Sequence, residues 1–125
     1  MGNPHCVIFL DDKSNLERIP LDKWGPILEN NDVFPNKTNV EFIRIKSASK
    51  MLMRVWERGV GETMACGTGA CASAVCAILL KKIKTTRADI LLPGGNLTIY
   101  WEGPGYPVFL EGETRYIFEG RYFLN

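Results

Sequence analysis

Long apolar runs, histidine and an excess of either charge are all scarce in this sequence, and each scarcity narrows its function. Fifteen Lys and Arg against fourteen Asp and Glu leave +1, a balance that offers neither nucleic acid nor an anionic membrane surface a partner. No apolar run approaches the roughly 18 residues that a membrane helix needs. Met1-Gly2-Asn3-Pro4-His5 has no cationic stretch leading into an apolar one, so no signal peptide is read there and a cytoplasmic setting is expected. With 125 residues the chain fits one domain or part of a larger one. Cysteine is present, at 6, 66, 71 and 76, but not in a metal pattern. Steps of five match neither C-x-x-C nor the usual zinc-ligand spacings, and they rotate side chains apart on a helix. Neither a metal nor a disulfide framework is expected; Cys71 and Cys76 read as small buried hydrophobes.

What is there reads mostly as strands and turns. "HCVIFL" is a short apolar strand, and "NVEFIRIK" and "MLMRVWER" are two more, joined by "SASK". "ADILLP", "NLTIYWE", "PVFLEG" and "RYIFEGRYFL" are again strand-like, and "LPGGNL" is a hairpin signal, with Gly94-Gly95 giving the turn its freedom. Pro20 to Asn30 holds one short helix, interrupted at Gly25-Pro26. A stronger helix runs from near Thr68 to near Lys82. It has no polar stripe, so it is expected to be buried on all sides, with Lys81, Lys82 and Lys84 at the negative end of its dipole. The fold class is α+β: a mainly antiparallel sheet wrapped around a central buried helix.

The window "GETMACGTGACASA", residues 61 to 74, sets one sulfur among glycines at the start of that helix. The first N–H groups of a helix have no intrahelical partner, and the dipole adds partial positive charge there. The position favours the thiolate of Cys66. It also lets the amides of Gly67 and Thr68 grip a substrate carboxylate without side chains in the way. A thiolate beside a bound carboxylate suits removal or return of the proton on the adjacent carbon. Tight helix–sheet packing explains the same small residues equally well.

The neighbouring residues tip that balance. If the two strands around "SASK" form a hairpin, Asn39 faces Arg58 and Val40 faces Glu57, within one register step. The strand then runs through Gly59-Val60-Gly61 straight into the Cys66 loop. An amide, a carboxylate and a guanidinium gathered there are the polar groups that hold an amino acid. The alternative is a surface ion pair, which is worth little. His5, the one histidine, follows the Asn3-Pro4 turn; it is either structural or close enough to the Cys66 loop to orient the base.

"MGNPHCVIF", "NVEFIRI", "VWERGVGETMACGTGACAS" and "LPGGNLTIYWEG" together resemble the C-terminal half of diaminopimelate epimerase, over nearly the whole chain. The proline racemases share a similar CGTG helix start, but "GETMAC" is closer to the epimerase form. The resemblance implies a cofactor-independent (PLP-free) enzyme that interconverts LL- and meso-diaminopimelate for lysine and cell-wall precursors. Two cysteines on opposite sides of the α-carbon exchange its proton. Cys66 matches one of them, His5 and Glu57 match residues that assist catalysis, and Asn3, Asn39, Glu57, Arg58, Gly67 and Thr68 match substrate-binding positions. The resemblance further implies two similar domains with the site between them, and a homodimer.

The domain carrying the other cysteine has no counterpart here. Residues 1–125 are therefore read as a C-terminal half incomplete at its N-terminus, a fragment inactive alone. Two alternatives stay open: a carboxylate-binding module without chemistry, and a racemase of the same superfamily acting on another amino acid. "LEGETRYIFEG" departs from the family's usual Gly-Pro-Ala, a change expected to affect only a turn.

Overall fold

A strand buried on both faces reads as apolar at nearly every position; "NVEFIRI" is apolar at four of its seven positions, with Asn39, Glu41 and Arg44 the exceptions. The computed structural model, which describes residues 1–124, makes this stretch β2, Asn39–Ile45, and buries its first five residues. β1, His5–Phe9, lies parallel to it, with His5 opposite Asn39 and Val7 opposite Glu41. A parallel pair needs a crossover, and here it contains α1, Leu21–Glu29. β3, Lys50–Glu57, pairs antiparallel to β2, and β4, Gly61–Thr63, folds back onto β3. α2, Gly67–Leu79, leads to β5, Arg87–Leu92, which lies parallel to β3. β6, Gly95–Tyr100, and β7, Phe109–Gly112, follow antiparallel. The sheet order is β1-β2-β3-β5-β6-β7, with β4 beside β3.

Alternation along the strands divides the core in two. Val40 and Phe42 face Leu16, Ile19 and Leu21, with Cys6, Ile8, Leu52 and Trp56 packed alongside. Ile43, Met51, Met53 and Val55 face Ala70, Ala74 and Ala77 of α2, with Ile90 and Ile99. Each large side chain buried this way contributes about 1.5–3 kcal/mol. The alanines let α2 lie close to the sheet, where it touches β1, β2, β5, β6 and β7.

The observed fold is α+β, as expected, but the sheet is mixed because two connections are helical crossovers. Other details differ as well. α1 continues through Gly25 and Pro26. Pro26 has no N–H to bond the Asp22 carbonyl one turn back, and a side chain at position 25 would overlap the Trp56 ring. α2 ends at Leu79, with Lys81 in a left-handed turn (φ 54°) beyond it. Most of its small residues from Gly69 to Ala77 are buried, but Gly67, Thr68 and Leu79 are exposed and Cys71, Val75, Cys76 and Ile78 only half-buried, so the helix is not covered on all sides. Cys71 and Cys76 are half-buried. β2 and β3 are offset one step from the expected hairpin, with Val40 opposite Trp56. The chain does not run straight on after β3; it turns at Arg58–Val60. The β5–β6 hairpin forms as expected around Pro93-Gly94, with the positive φ (144°) at Gly95. "RYIFEGRYFL" forms no strand and is exposed.

Candidate active site

Cys66 is the N-cap of α2, in extended geometry, and its side chain accepts a hydrogen bond from the backbone of Gly69 at 3.4 Å. An N-cap side chain reaches the amide three residues on, so the sulfur's donor is Gly69 rather than Gly67 or Thr68. Those two residues are exposed, and as the first two of the helix their amides have no intrahelical partner, at an end where an anion is favoured. Cys66 itself is 9% exposed. Gly69 has no room for a side chain, because a Cβ there would lie 2.7 Å from Glu41 Oε1 and 3.2 Å from Cys66 Sγ.

The parallel register carries the Asn3-Pro4-His5 turn to the same end of the sheet. Asn3 Nδ2 donates to Thr68 Oγ1 at 3.3 Å, and Thr68 Oγ1 lies 3.6 Å from Cys66 Sγ. His5 Nε2 lies 3.2 Å from Asn3 Oδ1, and its Nδ1 lies 2.6 Å from Glu41 Oε1. Four expected residues, Asn3, His5, Cys66 and Thr68, are thus joined side chain to side chain, with Glu41 behind them.

The other expected residues lie beside this run. Asn39 is buried and strapped between two segments: its amide donates to the Pro4 carbonyl at 3.1 Å and accepts the Arg58 backbone N–H at 2.9 Å. The Arg58 guanidinium donates to the Asn36 carbonyl at 3.0 Å. It lines an open cleft of about 920 Å³ together with Asn3, Pro4, Phe34, Asn36 and Lys37. Two cations in a cleft of ligand size suit an acidic group. Glu57 accepts a hydrogen bond from Thr63 Oγ1 at 2.5 Å.

Sequence reasoning missed Glu41 and Lys37. An acidic residue set between Val40 and Phe42 in a strand-like run was the signal for Glu41; Lys37 carried none. Burial pushes the Glu41 carboxyl up from its ordinary range, partly offset by its bond to His5. Partial burial likewise raises the thiols of Cys6, Cys71 and Cys76. Among the described residues no group of three or more His, Cys, Asp or Glu could hold a metal ion, and no helix is long and apolar enough to cross a membrane.

Solved structures with this fold include a protein from Bacillus anthracis described as a phenazine biosynthesis protein of the PhzF family. It matches with a TM-score of 0.60 at 19% identity, over 88% of this chain and 34% of that one. A Clostridium difficile protein described as a putative phenazine biosynthesis PhzC/PhzF protein matches with a TM-score of 0.58 at 24% identity, over 79% and 34%. Both speak to the fold alone. Among curated sequences, a Microcystis aeruginosa protein named diaminopimelate epimerase is 49% identical over 98% of this chain and 42% of its own length. A Synechococcus protein of the same name is 45% identical over 96% and 42%. This chain therefore spans about two fifths of the length of such relatives. The sequence profile described as Diaminopimelate epimerase matches residues 1–117. With that match over most of its length, the chain belongs to the diaminopimelate epimerase family.

Proposed function

We propose that this chain carries one half of the active site of a cofactor-independent epimerase that interconverts LL- and meso-diaminopimelate in the cytoplasm. The observation that supports it most is the placement of the Cys66 sulfur at the start of α2, beside the exposed first-turn residues Gly67 and Thr68. On this reading the substrate α-carboxylate lies on those two amides. The Cys66 thiolate takes the α-proton, leaving the electron pair on carbon, and the thiol returns a proton in the reverse direction. Glu57 and Asn39 face the ammonium group, Arg58 takes a carboxylate, and Asn3 closes the cleft edge. His5 and Glu57 assist the proton transfer. Asn39 also straps the site together, so its loss would loosen binding through two segments at once.

A second cysteine, on the opposite side of the α-carbon, belongs on this reading to a further domain. Residues 1–125 are then the C-terminal catalytic half. The sheet closes around α2 against that other domain, and two copies of the whole enzyme pair as a homodimer. The chain by itself is inactive as an epimerase.

Deuterium incorporation tests the assignment. The chain, complemented with an N-terminal half from a relative, should wash solvent deuterium into the α-position of meso-diaminopimelate. Cys66→Ala should lower that exchange on the order of 10³-fold, the range for loss of a general acid or base. Exchange that survives the substitution would exclude Cys66 as the proton carrier. The chain alone should shift the amide resonances of Gly67 and Thr68 on adding diaminopimelate; binding that leaves both unmoved would place the carboxylate elsewhere.

A further inference from the structure

Glu41 is an expensive residue for a core. It is 0% exposed, and its Oε2 has no hydrogen-bond partner among the described residues. The next inward positions of the same strand are Ile43 and Ile45, packed in the α2 core, so the fold itself does not call for a carboxylate there. What Glu41 does touch is His5, and the missing side chain at Gly69 leaves it the room to do so beneath the first turn of α2.

Each link from Glu41 outward fixes the direction of the next. His5 Nε2 faces the side-chain amide oxygen of Asn3, Oδ1, an acceptor, so Nε2 carries its N–H. The 2.6 Å contact between Nδ1 and Glu41 Oε1 then holds one further proton, on whichever atom it rests. With its oxygen toward His5, the Asn3 amide presents its NH₂ to Thr68 Oγ1. That oxygen is occupied as an acceptor, so its own hydroxyl proton is available to the Cys66 sulfur 3.6 Å away. A hydroxyl donor there favours the thiolate. Without the carboxylate, Nε2 can serve as a bare acceptor. The Asn3 amide then turns over and the Thr68 hydroxyl swings away to donate to it.

We propose that Glu41 is a positioning residue for Cys66: through His5, Asn3 and Thr68 it sets the direction of a hydrogen-bond run that keeps a donor on the sulfur whenever the proton is off it. The raised affinity of the buried carboxyl for protons agrees with a proton shared at the inner end of the run. The proposal rests on Cys66 being the acid/base, but its test needs no turnover, so the two can fail separately.

The 125-residue chain is suited to the test because His5 is its one histidine. Its imidazole ¹⁵N spectrum reports this ring alone, and iodoacetamide labelling followed by peptide mass gives the rate at Cys66. Glu41→Gln should abolish the strongly hydrogen-bonded Nδ1 proton signal and slow Cys66 alkylation at neutral pH by roughly tenfold. Thr68→Val should slow it similarly while leaving the imidazole spectrum as it was. Adding Glu41→Gln to Thr68→Val should slow it no further, because the run is already cut. Thr68 is exposed, so Thr68→Val remains informative even where Glu41→Gln does not fold. Four results would overturn the proposal: a Cys66 rate unmoved by Glu41→Gln, one unmoved by Thr68→Val, multiplicative slowing in the double variant, or an imidazole signal indifferent to Glu41→Gln. If these results come out as expected while deuterium exchange into diaminopimelate fails, the substrate reading falls and the positioning role stands.

Discussion

A methyl group on Gly69 would lie 2.7 Å from Glu41 Oε1, 3.1 Å from Met53 Cε and 3.2 Å from Cys66 Sγ. In an exposed helix, replacing glycine by alanine gains about 1 kcal/mol. Here the sign reverses, since the carboxylate and the sulfur are both held and neither has space to retreat. Gly69→Ala should cost about 1–3 kcal/mol in urea denaturation and should also slow Cys66 alkylation, because the displaced sulfur loses its amide donor. A stability equal to or above wild type would mean the Glu41 carboxylate has freedom that the packing denies it. The glycine was legible in "ACGTGACA" as a close approach, but not what it approaches. Glu41 is distant in sequence and reaches Gly69 only through the placement of β2 under α2.

The polar join between α1 and the end of β3 is a matter of whole elements. Glu29, the last residue of α1, is 6% exposed. Its two oxygens accept the Trp56 indole N–H at 2.8 Å and the Gly59 backbone N–H at 2.8 Å. Those bonds, the indole's first, hold the carboxyl below its ordinary range. The folded state therefore binds this proton less readily than the unfolded chain. Its stabilisation is complete above the ordinary carboxylate pKa of about 4.3 and is lost as pH falls through the lowered value. In Glu29→Gln one donor faces an NH₂ group. The variant should lose about 1–3 kcal/mol near neutrality, and thermal melts should show its stability falling less than wild type's between about pH 5 and pH 3. Parallel acid sensitivity in the two proteins would rule Glu29 out as a source of it. Sequence reading placed a helix here but broke it at Gly25-Pro26, because the local signal for a break is strong. The Trp56 ring packed against Gly25 supplied the reason to continue.

At the scale of the molecule, the last described stretch stands apart from the fold. Residues 113–124 are exposed throughout, with Tyr116, Ile117, Phe118, Tyr122, Phe123 and Leu124 each at least 80% so. They contribute no strand and no core, although their aromatic, alternating pattern reads as a strand. A strand pattern specifies a face to be covered, not the partner that covers it. Truncation after Gly112 should change the thermal stability by less than about 0.5 kcal/mol, while sedimentation should show less self-association as apolar surface is removed. A large loss of stability would mean that the stretch packs on the sheet after all.

Most of the local structure is legible in short stretches of the chain: the principal strands, the β5–β6 hairpin, the helix after the glycines, the cysteine at its start and the family to which the chain belongs. These depend on periodicity, turn chemistry and capping between residues a few positions apart. Tertiary structure alone decided the parallel pairing of β1 with β2 and the turn that folds β4 back on β3. It also decided that Glu41 stands behind His5 and that Asn39 is a strap. It decided too the contact of Asn3 with Thr68, 65 positions apart in sequence. No local pattern encodes such a contact, because it exists only once two crossovers have brought separate strands into one sheet.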